Sequence, residues 1–437
     1  MRGCQVNRLV APLSTLQEAL RRISQGRSGE DWPVGYSQWE DTRELILAPA
    51  SSRLDRRVRI VMTDDFDPPR WLASDCAGLL LVGRESRRGE AAGYLARTSD
   101  ALEPLHSLHI VGPGMHTLHL SDRADLLEDR QIPISPDTEQ RWSRTIGALG
   151  AAVWNRLVNL HLGLVGAGRT GSVLARMLLR TGTRRLTLID PDNLEVHNLG
   201  ESDDSLGQLL IGRAKVEALR AALRPLYPWS EVTAVSESIT HLRSLEALKA
   251  CDVLIACTDH DSARLAAACV AAMLCRPLVD VATGISRGPA SRMGVSVRLI
   301  LPGRCLVCAG GLRLPEAQNV LRSAAAERTF HAGRDWRRER MGSLLSLNHL
   351  ASALAQRMIE DLVAERIRET TWLHLEYDQR GKAVITYPPL GPDERAAGCP
   401  LCSALAGLGD DGLPKVPDLI RALDGQTSDL PGPRREM

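Results

Sequence analysis

Beyond residue 160 the chain alternates between short unbroken apolar runs and longer stretches in which apolar residues return every three or four positions. The run from Leu162 and those inside "RRLTLID", "CDVLIACTD" and "RPLVDVAT" read as strands. Between them lie a glycine-rich turn that opens a helix, an amphipathic helix "GRAKVEALRAALRPL" from Gly212, and the helix "ARLAAACVAAMLC". That alternation predicts an α/β fold with a Rossmann-like, mostly parallel sheet carrying helices on both faces, because parallel neighbours need helical crossovers. Farther on, a long helix is predicted over 343–368, and "WLHLEYD" with "KAVITYP" predicts a hairpin.

The first 135 residues have a different rhythm. Here "ELILAPA", "RVRIVMT", "AGLLLVG" and "LHIVGPG" are strand-like and are broken by turn-rich segments such as "DDFDPP", which predicts a smaller α/β domain over 1–135. Residues 130–140, with two prolines among polar residues, suit a linker into a helix from about Thr138. A larger domain is then expected over 136–405, and the polar residues 406–437, with glycines and prolines, are expected to form a loosely ordered tail.

Composition narrows the function classes. Lys and Arg (54) nearly cancel Asp and Glu (53), and two phenylalanines accompany few other aromatics, so neither a polyanion groove nor base-stacking platforms are expected. Nucleic acid is therefore not an expected partner. The N-terminal stretch lacks an uninterrupted apolar core, and no run approaches the roughly 18 apolar residues of a membrane span, so the expectation is a cytoplasmic chain without a membrane partner. Ten cysteines in such a chain stay reduced, which points to metal or catalysis rather than disulfides.

Two groups of residues carry candidate chemistry. Gly166, Gly168 and Gly171 fit G-x-G-x-x-G directly after an apolar strand and at the start of a helix. Such glycines permit a tight turn and let N–H groups at a helix N-terminus approach phosphate oxygens. Asp190, at the end of the next strand, is placed to accept hydrogen bonds from ribose hydroxyls. This set predicts a purine-nucleotide site and leaves NAD and ATP both open. Separately, Cys305, Cys308, Cys399 and Cys402 form two C-x-x-C pairs, the spacing of a closed tetrahedral zinc site. Cys251, Cys257, Cys269 and Cys275 fall in apolar segments and read as core residues.

The residues after Asp190 separate the two nucleotides. In order, "DPDNLEVHNLGE", "IGRAKVEALR" and "CTDHDSAR" resemble the ThiF-type adenylyltransferases, the superfamily of ubiquitin-activating enzymes and bacterial sulfur-carrier activators. The resemblance rests on Asp190, Asp192 and Asn198, then Lys215, then Asp259 and Arg264, and it spans residues 141–402. It implies ATP, with Lys215 at the phosphates, Asp259 at Mg²⁺ and Asn198 at the nucleotide site. It also implies a homodimer in which Arg144, from "RWSRTIGALG", reaches the partner's nucleotide site. A solvated helix face is the alternative for Arg141 and Arg144. Glu201 stands where the family has an arginine, a charge that Arg169 in the glycine loop or Arg213 beside Lys215 would restore, and His260 replaces an asparagine.

By the same resemblance the zinc pairs flank a crossover segment, in which ubiquitin-activating enzymes place a nucleophilic cysteine. Residues 309–398 contain no cysteine. A thioester there is excluded, which leaves release of the adenylate to a partner, or an oxyester on Thr329 or Ser323 with His331 as base. The implied activity is ATP-dependent adenylation of the C-terminal glycine carboxylate of a ubiquitin-like protein, with a conjugating enzyme downstream and a bacterial conjugation pathway, such as antiphage defence, as the setting. Sulfur-carrier activation for cofactor synthesis and a nucleotide-binding pseudoenzyme scaffold are the alternatives. In the first domain, "SDCAGLLLVG" and "GMHTLHLSD" resemble the JAB/MPN isopeptidase fold. His116 and His119 are spaced H-x-x-H where that family has H-x-H, so a catalytic metal on Asp75, His116 and His119 is not expected, and a degenerate partner-docking domain is.

Overall fold

The computed structural model describes residues 6–25, 29–71, 76–84, 90–98, 101–120, 125–126, 135–200, 202, 206–285, 293–312, 344–378, 380–390, 399, 401 and 404–417. Two sheets organise them. The first is built from β1 (Val6–Pro12), β2 (Gly29–Trp39), β3 (Thr42–Leu47), β4 (Arg57–Thr63), β5 (Cys76–Gly83), β6 (Glu90–Thr98), β7 (Ala101–Pro104), β8 (Ser107–Val111), β9 (His116–His119) and β10 (Asp125–Leu126). Its order is β10-β6-β5-β4-β2-β3-β1-β8-β9, with β7 on β6. Helix α1 (Leu13–Ser24) packs Leu16, Ala19 and Ile23 onto this sheet, and a short α2 (Pro68–Trp71) follows β4.

Strand β2 has no period-two pattern and contains Pro33, yet it forms because it changes partners in mid-course. Gly29–Pro33 pair with β4 and Val34–Trp39 pair with β3, so the missing N–H of Pro33 falls where the strand leaves one neighbour for the other. Buried Trp32 fixes the crossing by donating from its indole N–H to the Ala48 carbonyl at 2.7 Å.

The second sheet follows the predicted alternation. Helices α3 (Pro136–Leu149) and α4 (Ala151–Asn159) precede β11 (His161–Val165), α5 (Arg169–Thr181), β12 (Arg185–Ile189), α6 (Lys215–Leu223), β13 (Glu231–Val235), α7 (Leu242–Lys249), β14 (Val253–Ala256), α8 (Asp261–Met273) and β15 (Leu278–Ile285). Three antiparallel strands extend it: β16 (Met293–Ile300), β17 (Thr371–Tyr377) and β18 (Ala383–Thr386), with the long helix α9 (Leu345–Val363) between the first two. The order is β13-β12-β11-β14-β15-β16-β17-β18, and the first five strands are parallel. Leu162, Leu164, Leu186, Leu188, Val253 and Ile255 are inaccessible to solvent, as strands covered on both faces require. Helix α3 opens two residues before the expected Thr138, with Ser135 Oγ accepting the Thr138 N–H at 3.3 Å.

The two sheets meet across a buried ionic cluster. Glu44 of β3, inaccessible to solvent, accepts two hydrogen bonds from Arg276 Nη2, at 2.8 and 2.9 Å, and one from Arg8 Nε at 2.5 Å. Beside it Asp252 accepts the His161 N–H at 2.8 Å and lies 3.8 Å from Arg8 and 3.7 Å from His109. Burial would raise the Asp252 carboxyl, but His109, Arg8 and Arg276 outweigh it and hold the group below the usual carboxylate range.

Residues 406–417 depart from the expectation of a loosely ordered tail. Gly407 and Gly409 donate their N–H groups to the carbonyls of Ala272 and Met273, and Asp410 donates its own to Tyr36 of β2. Leu413 and Val416 are buried. The glycines that made this segment look loose are what allow it to lie so close. The positions beyond 417 lie outside the described residues.

Candidate functional site

The strand order reverses between β11 and β14, which leaves a crevice at the carboxyl ends of these strands, the usual ligand position in open α/β sheets. The glycine turn sits there. Gly166 has φ 95°, and a Cβ on it would stand 2.6 Å from the Cys257 carbonyl oxygen at the end of β14. A Cβ on Gly171 would stand 1.9 Å from the Gly166 oxygen, so the turn can close over the first turn of α5 only with glycine at both places. Gly168 differs, since a Cβ there would meet nothing within 4 Å. Open space at the N-cap of α5, facing the positive end of the helix dipole, is where an anion fits.

Asp190 ties the turn to β12. Its Oδ2 accepts the Ala167 N–H at 2.7 Å and its Oδ1 accepts the Asp192 N–H at 2.9 Å. Burial pushes this carboxyl above the usual range, with Lys215 acting in the opposite direction. Lys215 is the first residue of α6 and is delivered by a short backbone pairing of the loop after β12 with the approach to that helix: Leu194 N–H to the Arg213 carbonyl, Gly212 N–H to the Leu194 carbonyl, Lys215 N–H to the Asp192 carbonyl. Its ammonium donates to Asp192 Oδ2 at 2.7 Å. Burial would lower the pKa of Lys215, but Asp190, Asp192 and Asp259 outweigh it and hold the group above its ordinary value, so it is charged at neutral pH. Asp259 lies two residues beyond Cys257, at the lip of the glycine turn, with its side chain 80% exposed. Arg169 begins α5 beside the turn, and Arg213 is exposed.

Two residues take other work than the sequence suggests. Asn198 is buried in a capping box, with its Oδ1 accepting the Glu195 N–H at 2.9 Å, so its side chain shapes the loop between Asp192 and Lys215. Arg264 is held on every side: Nε and Nη2 donate to Asp280 at 2.8 and 2.7 Å, Nη1 to Asp261 at 2.6 Å, and Nη2 also to the Gly311 carbonyl at 3.0 Å. Arg264 thereby links the start of α8 to the residues following Cys308. Asp280, inaccessible to solvent, also accepts from Arg298 at 3.2 Å, whose guanidinium lies 4.0 Å from the Trp372 ring centre.

Arg144 is exposed on α3, a helix with no buried residue. Arg141, one turn away, stacks 4.7 Å from the Trp229 ring, which in turn meets Trp142 edge-on. His116 and His119, three residues apart on β9, point to opposite faces of the strand and cannot converge on one ion. His116 instead meets Glu365 at 3.2 Å, and Asp75 lies outside the described residues.

Among the described residues, the cysteines of the second sheet's domain fall into two kinds. Burial pushes the thiols of Cys251 and Cys275 up to about 12, and those of Cys257 and Cys269 up as well, so these are protonated core residues. Cys305, Cys308 and Cys399 converge instead, with Sγ of Cys305 3.7 Å from Sγ of Cys308 and 3.7 Å from Sγ of Cys399. A tetrahedron with zinc–sulfur bonds of about 2.3 Å has an edge of about 3.8 Å, so the spacing suits that ion. Cys402 lies outside the described residues, as do Glu201, Ser323, Thr329 and His331.

Residues 142–312 match the model of the ThiF family. The chain carries a ThiF-family domain. Among its relatives, the adenylyltransferase and sulfurtransferase MOCS3 of Sus scrofa is 30% identical over 204 residues, covering 44% of this chain and 43% of that protein. The tRNA threonylcarbamoyladenosine dehydratase of Escherichia coli K12 is 32% identical over 109 residues, 25% of this chain and 40% of that protein. The chain spans less than half the length of the curated relatives it matches. Among solved structures, E. coli MccB with ATP is similar with a TM-score of 0.45 at 18% identity over 60% of this chain and 74% of that one. Within the ThiF domain, the glycine turn, Asp190, Asp192 and Lys215 come together at one crevice, with Asp259 at its lip. Sequence reasoning missed Asp280 and Arg298, buried charges whose only signal was their polarity in apolar strands.

Proposed function

We propose that the chain is an ATP-dependent adenylyltransferase acting on the C-terminal glycine carboxylate of a ubiquitin-like protein. The observation that carries this reading is the convergence of Lys215, Asp190 and Asp192 with the open N-cap of α5 at the point where the strand order reverses. In the proposed reaction a carboxylate oxygen attacks the α-phosphorus of ATP, the new oxygen–phosphorus bond forms, and the bond to the β-phosphate oxygen breaks to release pyrophosphate. Lys215 balances charge on the phosphates, Asp259 is the Mg²⁺ ligand, and the N–H groups of the glycine turn hold phosphate oxygens. Zinc on Cys305, Cys308, Cys399 and Cys402 is structural. Arg144 completes the site of a partner subunit in a homodimer, and the setting is a cytoplasmic bacterial conjugation pathway with a conjugating enzyme, for which antiphage defence is a candidate role.

A second reading, sulfur-carrier activation, is favoured by relatives such as the MOCS3 protein, an adenylyltransferase and sulfurtransferase. Mass spectrometry of the small partner after incubation with Mg·ATP separates the two. An acyl-adenylate is common to both readings; an ester on Thr329 or Ser323 supports conjugation, whereas conversion to a thiocarboxylate when a sulfur donor is supplied supports the second reading. An unchanged partner with hydrolysis-free nucleotide binding would leave a scaffold as the function and overturn both.

A further inference from the structure

The described residues that follow Cys399 of the cysteine cluster, 401 and 404–417, reach the first sheet at β2. Leu401 and Leu405 are buried after Cys399, and then Gly407 and Gly409 run along the end of α8. Contact with the first sheet is made by backbone at van der Waals limits: a Cβ on Gly35 would lie 1.8 Å from the Gly407 oxygen, and one on Gly409, at φ 59°, 2.2 Å from the Tyr36 oxygen. Asp410 then acts as a pin. Its carboxylate accepts from Ser37 Oγ at 3.1 Å, from the Gln38 N–H at 3.0 Å and from the Lys249 ammonium at 2.8 Å. Lys249, buried at the end of α7, also donates to the Gln38 carbonyl at 3.2 Å and to Glu246 at 2.8 Å, so one ammonium joins the second sheet's helix, the strap and β2.

We infer that metal held by the cysteine cluster orders this strap and thereby stiffens its contact with Tyr36–Gln38 of β2. The cluster and Asp410 are eleven residues apart. Leu401 and Leu405 pack directly after the cluster, so release of the Cys399 thiolate frays the start of the strap and loosens the run of Gly407 and Gly409 that presents Asp410 to β2. Occupancy therefore stiffens Tyr36–Gln38 without touching them. The inference rests on the metal reading and not on the adenylation reading.

Hydrogen–deuterium exchange on the whole chain tests it, with zinc content measured beforehand. Chelation is expected to speed exchange about tenfold in peptides covering residues 36–38 and 404–417, while β11 and β14 keep their protection. Asp410→Ala and Gly409→Val are expected to produce the same local change with zinc still bound. The inference is overturned by a chain that binds no zinc, by chelation that leaves residues 36–38 and 404–417 at their original rates, or by chelation that exposes β11 and β14 together with the rest. It is also overturned if both variants leave residues 36–38 as protected as in the original chain.

Discussion

Acid should loosen this protein through two imidazoles at the junction of its sheets. Burial lowers the pKa of His109 from 6.5 to about 4, and that of His161 likewise to about 4, with Asp252 opposing the shift in both. Between these values the unfolded chain binds protons that the folded chain refuses, so stability is complete above pH 6.5 and falls as pH drops toward 4. For a shift of that size the loss is about 2 kcal/mol per imidazole at pH 5 and about 3 kcal/mol at pH 4. Asp252 stays ionised through this window because its own pKa lies below the usual range, so it does not cancel the slope. The assay is urea unfolding followed by tryptophan fluorescence at pH 7, 6 and 5, on the original chain and on His109→Asn. The variant is expected to lose about half of the pH-dependent destabilisation, and acid effects shared by the two chains cancel in the comparison. Identical slopes in the two chains, or a flat profile, would refute the argument that buried neutral imidazoles sit at this junction.

Three further outcomes follow from the geometry. Glu44→Ala leaves Arg276 buried without its carboxylate and should cost about 3–5 kcal/mol in urea unfolding, whereas Glu44→Leu with Arg276→Met should recover most of that, since exchanging both partners avoids the unpaired charge. Gly168→Ala should leave circular dichroism and melting temperature unchanged while weakening ATP binding measured by calorimetry, because its Cβ enters open space at the N-cap; Gly171→Ala should compromise folding itself. Arg264→Ala strands Asp280 with Arg298 alone and releases the Gly311 carbonyl, so proteolysis should begin after Cys308 at protease levels that spare the original chain, and Arg264→Lys should rescue this only in part because one ammonium cannot replace the bidentate pair.

The parallel sheet was legible because its strands are buried on both faces and therefore appear as unbroken apolar runs, and the glycine turn because its spacing is dictated by contacts a Cβ would destroy. Strand β2 was not legible, since its pairing switches at Pro33 and its order depends on Trp32 and two neighbours distant in sequence. The ionic junction was invisible for a similar reason: Glu44 and Arg276 are ordinary charged residues until the fold brings together positions 232 apart. The motif led to the expectation of Asn198 and Arg264 at the nucleotide site, and local spacing could not reveal that Asn198 is engaged in a capping box and Arg264 by Asp280, Asp261 and the Gly311 carbonyl. The Gly-rich stretch at 406–412 misled because glycine signals close backbone approach as readily as looseness.

The central claim, that the crevice between β11 and β14 transfers AMP from ATP to a carboxylate, is tested most directly by ATP–pyrophosphate exchange. The purified chain would be assayed with Mg·ATP and a small glycine-tailed protein, alongside Lys215→Ala and Asp259→Ala. Exchange that requires the small protein and drops by about 100-fold or more in each variant is the predicted result, consistent with loss of a charged group stabilising the transition state. Undiminished exchange in both variants would contradict the assignment of the site, and tight NAD binding with no ATP binding would contradict the reaction.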